Sequence, residues 1–196
     1  MRFSLSILIL CVLGLGYTEI SSFASRIGYA LQAATNPFSD WYSNGIAELV
    51  AKHPDRFVGL GSVPLQNAEL AVQELEYCVK KLGLRGVEIN TNVNGLNLTD
   101  PSLGLEKFFA KANELGTVIF MHPLGYTQGD RLRNHYFNNV IGNPLETTVA
   151  ISHLIFDGVV ARHPKIKFLA AHGGGFLAHY WARMDHAWRA RPDTRT

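Results

Sequence analysis

The stretch KFLAAHGGGF, residues 167–176, joins a short apolar run to a histidine that three glycines follow. An apolar run of this length between helical patterns indicates a buried strand of a parallel sheet. His172 stands where that strand ends, and the glycines at 173–175 leave room for another group to approach the imidazole. Because an unperturbed imidazole has a pKa of about 6.5, His172 is a candidate catalytic acid–base residue.

Two other interpretations of this stretch stay open at the level of sequence. The glycines could form a tight turn beside a structural, hydrogen-bonded histidine. They could also form a phosphate-binding loop, although three consecutive glycines match neither the dinucleotide-binding pattern nor the P-loop pattern. The catalytic interpretation is favoured because the carboxyl ends of the strands carry the chemistry of (β/α) barrels.

A second histidine follows a second apolar run in the same way. His122 comes directly after TVIFM, residues 117–121, and Pro123 favours an extended backbone at His122. An imidazole at this position could be a metal ligand, although a structural histidine would have the same local sequence. Two histidines at equivalent strand ends favour a barrel over an open, doubly wound sheet.

Apolar runs alternate with amphipathic stretches from residue 38 onward, which indicates an α/β protein. Strands are predicted over 56–63, 84–90, 117–121 and 166–171. Helices are predicted over 39–53, 68–83, 101–116, 143–164 and 175–188. The fold class is therefore a (β/α)₈ TIM-barrel type with about four to five clear βα units, which makes it an incomplete barrel.

Composition restricts the class of partner. The 196 residues carry a formal net charge of +2 without basic runs, which argues against nucleic acid and favours a small-molecule substrate. A 47% hydrophobic content is enough for one folded domain. Cys11 and Cys78 are the only cysteines, so neither a disulfide framework nor a cysteine-based zinc site is expected.

The first 25 residues, MRFSLSILILCVLGLGYTEISSFAS, form an apolar leader. A basic start, an apolar run and small residues near its end are typical of a signal peptide, so secretion is possible. The alternatives are a buried strand or helix, or a misassigned start. The run is too short for a confident membrane-spanning helix, and no membrane partner is expected. The partial barrel domain is assigned to residues 26–196.

Four segments of the chain together resemble the amidohydrolase-related metal-dependent decarboxylases over about residues 38–193. They are RFVGLGSVPLQNAELAVQELEYCVKKLGLRGVEINTNVNG, IFMHPLG, GNPLETTVAISHLIFDGVVARHPKIKFLAAHGGG and RMDHAWRARPD. The resemblance implies a (β/α)₈ barrel, commonly with Zn²⁺ and commonly a homodimer in the cytoplasm. It also implies a decarboxylase, a carbon–carbon lyase acting on a small unsaturated or aromatic carboxylic acid.

The resemblance also implies roles for three residues. His122 corresponds to a metal ligand after a middle strand, His172 to the catalytic histidine, and Arg183 to a residue that binds the substrate carboxylate, as a guanidinium can. The H-x-H pair and the late-strand aspartate of the family are absent from this sequence. Two alternatives therefore stay open, a metal-dependent hydrolase and a catalytically inactive fragment.

Overall fold

The structure, a computed structural model, describes residues 37–194 and is built on a parallel sheet of four strands. The sheet strands are β1 (Gly61–Ser62), β2 (Gly86–Ile89), β5 (Val118–Met121) and β6 (Lys167–Ala170), in the spatial order β1-β2-β5-β6. A separate antiparallel hairpin consists of β3 (Asn92–Val93) and β4 (Leu96–Asn97). Each sheet strand pairs in parallel with the next, as the apolar runs predict.

Six α-helices accompany the strands within residues 37–194. They are α1 (Pro37–Lys52), α2 (Ala68–Glu76), α3 (Glu106–Leu115), α4 (Asn143–Phe156), α5 (Val159–Arg162) and α6 (Leu177–Ala190). Wider π-type turns extend α2 through Tyr77–Lys81 and lead into α4 through Asn138–Gly142. The described residues therefore contain four βα units, each a sheet strand followed by a helix.

The strand register separates the sheet into two faces. Val87, Ile119 and Phe168 lie side by side on neighbouring strands and pack into the hydrophobic core together with the helices. Side chains alternate between the faces of a strand, so the next row, Glu88, Phe120 and Leu169, points away from that core. In a barrel, this second row is the one that faces the interior.

Most of the core between helices and sheet consists of fully buried aliphatic and aromatic side chains. Phe108 and Phe109 of α3 and Leu75 of α2 are among the largest. His163, at the end of α5, is also buried and lies 2.8 Å from a Glu106 carboxylate oxygen through Nε2. Arg162 binds the same carboxylate, so this histidine joins α3 to α5 and belongs to the framework.

The structure corrects several predicted element boundaries. The single helix predicted over 143–164 is wrong, because the chain turns at Asp157 and Gly158 between α4 and α5. Gly158 has φ +76°, a conformation that glycine adopts without a steric cost. The helix predicted over 101–116 begins later, at Glu106, after a separate turn at Pro101–Leu103. The strands are shorter than predicted, and the β3–β4 hairpin was not predicted.

The predicted leader, residues 1–25, lies outside the described residues. Across residues 37–194, no helix combines the length and the apolar character that crossing a membrane requires.

Candidate active site

The two candidate histidines lie next to each other at the carboxyl edge of the sheet. β5 and β6 are neighbouring parallel strands whose last residues, Met121 and Ala170, are in register, and one histidine follows closely after each. The ring centroids of His122 and His172 are 5.2 Å apart, at an interplanar angle of 45°. The backbone holds this edge in place, because the His122 N–H donates to the Ile89 carbonyl at 3.0 Å.

His172 leaves its strand in an unusual backbone conformation. Its φ is +56°, a region that side-chain-bearing residues rarely adopt, and the next three glycines also have positive φ. A Cβ added at Gly173 or Gly174 would meet nothing described within 4 Å, whereas one at Gly175 would lie 2.3 Å from the Pro144 carbonyl oxygen. The glycines therefore allow a sharp turn and a close approach to α4, and two of them leave space beside the imidazole.

Helix α4 supplies the contacts that hold this turn. The Thr147 hydroxyl oxygen lies 3.0 Å from Nδ1 of His172. One residue further, the Thr148 hydroxyl accepts a hydrogen bond of 2.8 Å from the Phe176 N–H, just after the glycines. These two threonines were not predicted to be site residues. No periodic pattern marks them, because the contact joins positions that are 25 residues apart.

Two further polar residues are buried in the first turn of α4. The Glu146 carboxylate accepts a hydrogen bond of 2.9 Å from the Asn92 side chain and a longer one, 3.4 Å, from the Thr127 N–H. It thereby ties the segment after β2 and the segment after β5 to the helix. Asn143 is also buried, and its Oδ1 has no hydrogen-bond partner among the described residues.

Burial sets the charge state of both histidines. It lowers the pKa of His122 from its ordinary value, and the nearby charge of His172 lowers it further. Burial likewise lowers the pKa of His172. Both rings are therefore mainly neutral at pH 7, the state in which an imidazole can accept a proton or bind a metal ion.

A carboxylic acid that the sequence analysis missed lies on the inner face of the sheet. Glu88 is the one acidic residue within the four residues of β2, and its register partner on β5 is Phe120. Burial raises the pKa of the Glu88 carboxyl above its ordinary value. The sequence did indicate this residue, because a glutamate inside an apolar run such as GVEI is rarely buried without a partner.

We expect Glu88→Gln to increase the free energy of unfolding at neutral pH. A carboxyl with a raised native pKa favours the folded state while it is protonated, and this contribution is lost as the pH rises through that pKa. Glutamine cannot ionise and avoids the loss. Urea unfolding of both proteins at about pH 7.5 and about pH 5 should show a gain that shrinks at the lower pH.

The exposed Glu48 of α1 provides the control, because Glu48→Gln should change stability little at either pH. An equal loss of stability for Glu88→Gln at both pH values would contradict the predicted electrostatic cause.

The predicted substrate-binding residue, Arg183, lies in α6, which directly follows the His172 turn. Its side chain is exposed, and it makes no hydrogen bond or ion pair with any residue between 37 and 194. The neighbouring ion pair of α6 joins Asp185 to Arg189 at 2.8 Å. The structure does not bring Arg183 into contact with the two histidines, and its role stays a prediction.

The described residues do not complete a metal site on their own. Within residues 37–194, no three side chains from His, Cys, Asp and Glu are close enough together to hold one ion. His122 and His172 could supply two ligands at most, whereas zinc sites in proteins use three or four. Binding of Zn²⁺ at His122 therefore stays a prediction.

Comparison with protein families identifies one match that covers most of the chain. Residues 28–194 match the family model described as amidohydrolase. The chain is 41% identical over 155 residues to 2-amino-3-carboxymuconate-6-semialdehyde decarboxylase from Dictyostelium discoideum, covering 79% of this chain and 43% of that protein. It is 31% identical over 153 residues to gamma-resorcylate decarboxylase from Polaromonas sp., covering 73% and 47%.

A solved structure agrees with these relatives. The dihydroxybenzoic acid decarboxylase from Polaromonas sp., crystallised with bound manganese and the inhibitor 2-nitroresorcinol, superimposes with a TM-score of 0.70. The two sequences are 26% identical, and the match covers 84% of this chain and 50% of that one. The chain thus spans about half the length of the proteins it matches. These matches confirm the predicted partial TIM-barrel fold, and the chain belongs to the amidohydrolase family.

Proposed function

We propose that this chain carries part of the active site of a decarboxylase that acts on a small unsaturated or aromatic carboxylic acid. The observation that carries the proposal is the placement of His122 and His172 side by side at the carboxyl edge of the sheet, 5.2 Å between ring centroids. Relatives of 41% and 31% identity are named as decarboxylases, which supports this reaction over others of the fold.

His172 is the proposed proton donor and acceptor. As a neutral imidazole with a lowered pKa, it first accepts a proton from a substrate hydroxyl, which becomes an oxyanion, or from water, which becomes hydroxide. The resulting imidazolium returns a proton to the carbon that bears the carboxylate. The bond between that carbon and the carboxylate then breaks, its electron pair stays with the carbon framework, and CO₂ leaves.

Two further roles belong to the proposal. Arg183 would bind a substrate carboxylate, to which its exposed guanidinium, unpaired among residues 37–194, is suited. His122 would be one ligand of a divalent metal, either Zn²⁺ or the manganese found in the solved relative. Such an ion would polarise substrate oxygens. Because the described residues do not complete its site, the proton transfers above use only His172.

Substrate trials with the purified chain test this proposal. We expect release of CO₂ from 2,6-dihydroxybenzoate or from 2-amino-3-carboxymuconate-6-semialdehyde, with Zn²⁺ or Mn²⁺ added. Formation of a carboxylate from an ester, lactone or amide without CO₂ release would instead indicate a metal-dependent hydrolase. No turnover of either kind, together with no bound metal, would indicate a catalytically inactive fragment.

Size-exclusion chromatography with metal analysis also distinguishes a complete active site from a catalytically inactive fragment. A homodimer with near-stoichiometric metal is the expected result for a complete site, and aggregation without metal would contradict it. A cytoplasmic location is expected from the family resemblance and stays a prediction. Fractionation of cells that express the full chain would test that location.

A further inference from the structure

The side chain of Thr147 contacts two groups at once. Its hydroxyl oxygen lies 3.0 Å from the Asn143 carbonyl oxygen, one helical turn earlier, and 3.0 Å from Nδ1 of His172. Thr147 is fully buried, so no water competes for these contacts. A hydroxyl has a single hydrogen to donate and lone pairs with which to accept. It can therefore donate to one of these two groups only.

The neighbouring Thr148 shows which arrangement this helix uses. Its hydroxyl lies 2.8 Å from the Pro144 carbonyl oxygen, again one turn earlier, and 2.8 Å from the Phe176 backbone nitrogen. A backbone N–H can only donate, so the Thr148 hydroxyl must accept from Phe176 and donate to the helix carbonyl. The same arrangement at Thr147 sends its hydrogen to Asn143 and accepts one from His172.

This arrangement determines which ring nitrogen of His172 carries the hydrogen. If Thr147 accepts, then Nδ1 of His172 must be protonated and Nε2 of the neutral ring must hold the free lone pair. Within residues 37–194, Nε2 of His172 makes no hydrogen bond, and its ring is a neighbour of the His122 ring. Nε2, the nitrogen that could accept a proton, is thus the ring nitrogen without a hydrogen bond to the described residues.

The backbone at His172 cannot orient the ring by itself. The residue has φ +56° and is followed by three glycines, which place no side chain against the imidazole. The ring therefore needs an outside contact to select one orientation and one tautomer. The hydrogen-bonded contact that the described residues provide is the Thr147 hydroxyl.

We propose that Thr147 is a positioning residue that holds His172 in the form with Nδ1 protonated and Nε2 free to exchange a proton with the substrate. The tautomer is inferred from the hydrogen bonds of Thr147 and Thr148, independently of any activity. Its catalytic consequence rests on the proposed decarboxylation, so the two parts need separate measurements.

Nitrogen-15 NMR of the histidine rings tests the tautomer without any activity. In the full chain at about pH 8, where His172 is neutral, we expect a pyrrole-type signal for Nδ1 and a pyridine-type signal for Nε2. The His172 signals are identified by their loss in His172→Asn. In Thr147→Val, which keeps the side-chain shape and removes the hydroxyl, the ring should become a mixture of both tautomers, whereas Thr147→Ser should keep the Nδ1–H form.

A matched control lies on the same helix. The Ser152 hydroxyl donates to the Thr148 carbonyl at 2.6 Å and makes no hydrogen bond to the His172 turn. Ser152→Ala should therefore leave the His172 signals unchanged. A pyridine-type Nδ1 in the unmodified chain, or unchanged His172 signals in Thr147→Val, would overturn the proposal.

The kinetic part has its own measurement. Thr147→Val should lower kcat for decarboxylation about 10- to 100-fold with little change in KM, and Thr147→Ser should restore most of it. An equal loss in both variants would refute the positioning role. If the unmodified chain turned over no substrate, the proposed function would fail, while the NMR result would still decide the tautomer.

Discussion

Replacing His172 with asparagine should lower the rate of decarboxylation by about 10²- to 10⁴-fold. This is the usual contribution of one positioned acid–base group. Among residues 37–194, His122 is the one other histidine in ring contact with His172. The loss should occur in kcat and in kcat/KM alike, because proton transfer to carbon takes place only in the transition state. Steady-state measurement of CO₂ release provides both constants.

Asparagine is the appropriate replacement because of the backbone at this position. His172 has φ +56°, and asparagine tolerates this region better than alanine does, so the change removes the imidazole with little added strain. His135 is a matched control, since it is also a histidine with φ +56° but is exposed and far along the segment after β5. We expect His135→Asn to keep nearly full activity. Equal activity of the two variants would contradict the acid–base role of His172.

The two strand-end histidines could be predicted from the sequence because one pattern occurs twice. An apolar run of strand length followed by a histidine implies a carboxyl end, and the carboxyl ends of parallel strands lie at one edge. That inference is independent of exact strand boundaries. The structure has shorter strands than predicted, yet His122 and His172 still meet at 5.2 Å between ring centroids.

The contacts that orient these histidines could not be predicted in the same way. Thr147 and Glu146 sit in an amphipathic helix, where the sequence shows only which positions are buried and not which loop they will contact. The β3–β4 hairpin is a different case, because Asn94-Gly95 is a turn signal and both residues have positive φ. Its strands have only two residues each, too few to show the alternation of apolar and polar residues that predicts a strand.

The predicted role of Arg183 depends on the resemblance alone. Arg183 lies six residues after the first residue of α6, a little under two helical turns. The exposed residues of that helix also include Tyr180 and Trp181. Because the Arg183 guanidinium makes no hydrogen bond or ion pair within residues 37–194, its surroundings do not indicate which ligand it binds. The sequence therefore predicts a site best where backbone topology alone brings the groups together.

Gly175→Ala should lower both the stability of the chain and its turnover, because Gly175 is where the His172 turn touches α4. The new Cβ would lie 2.3 Å from the Pro144 carbonyl oxygen and 2.4 Å from the Thr148 hydroxyl. The first atom is backbone, and the second is held by its hydrogen bonds with the Pro144 carbonyl and the Phe176 N–H. The turn must move away from the helix, which breaks the contact between Phe176 and Thr148. We expect a loss of about 3 kcal/mol in the free energy of unfolding.

Gly173→Ala is the control for this change, because Gly173 also has positive φ but a Cβ there would meet nothing described within 4 Å. It should cost about 1–2 kcal/mol from backbone strain alone. A shift of about 1 Å at a catalytic group can reduce the rate about 10²-fold, so Gly175→Ala should lose this much in kcat and Gly173→Ala much less. Chemical denaturation and CO₂ release measure the two effects. Equal losses in both variants would mean that glycine conformation, and not the close contact with α4, holds His172 in place.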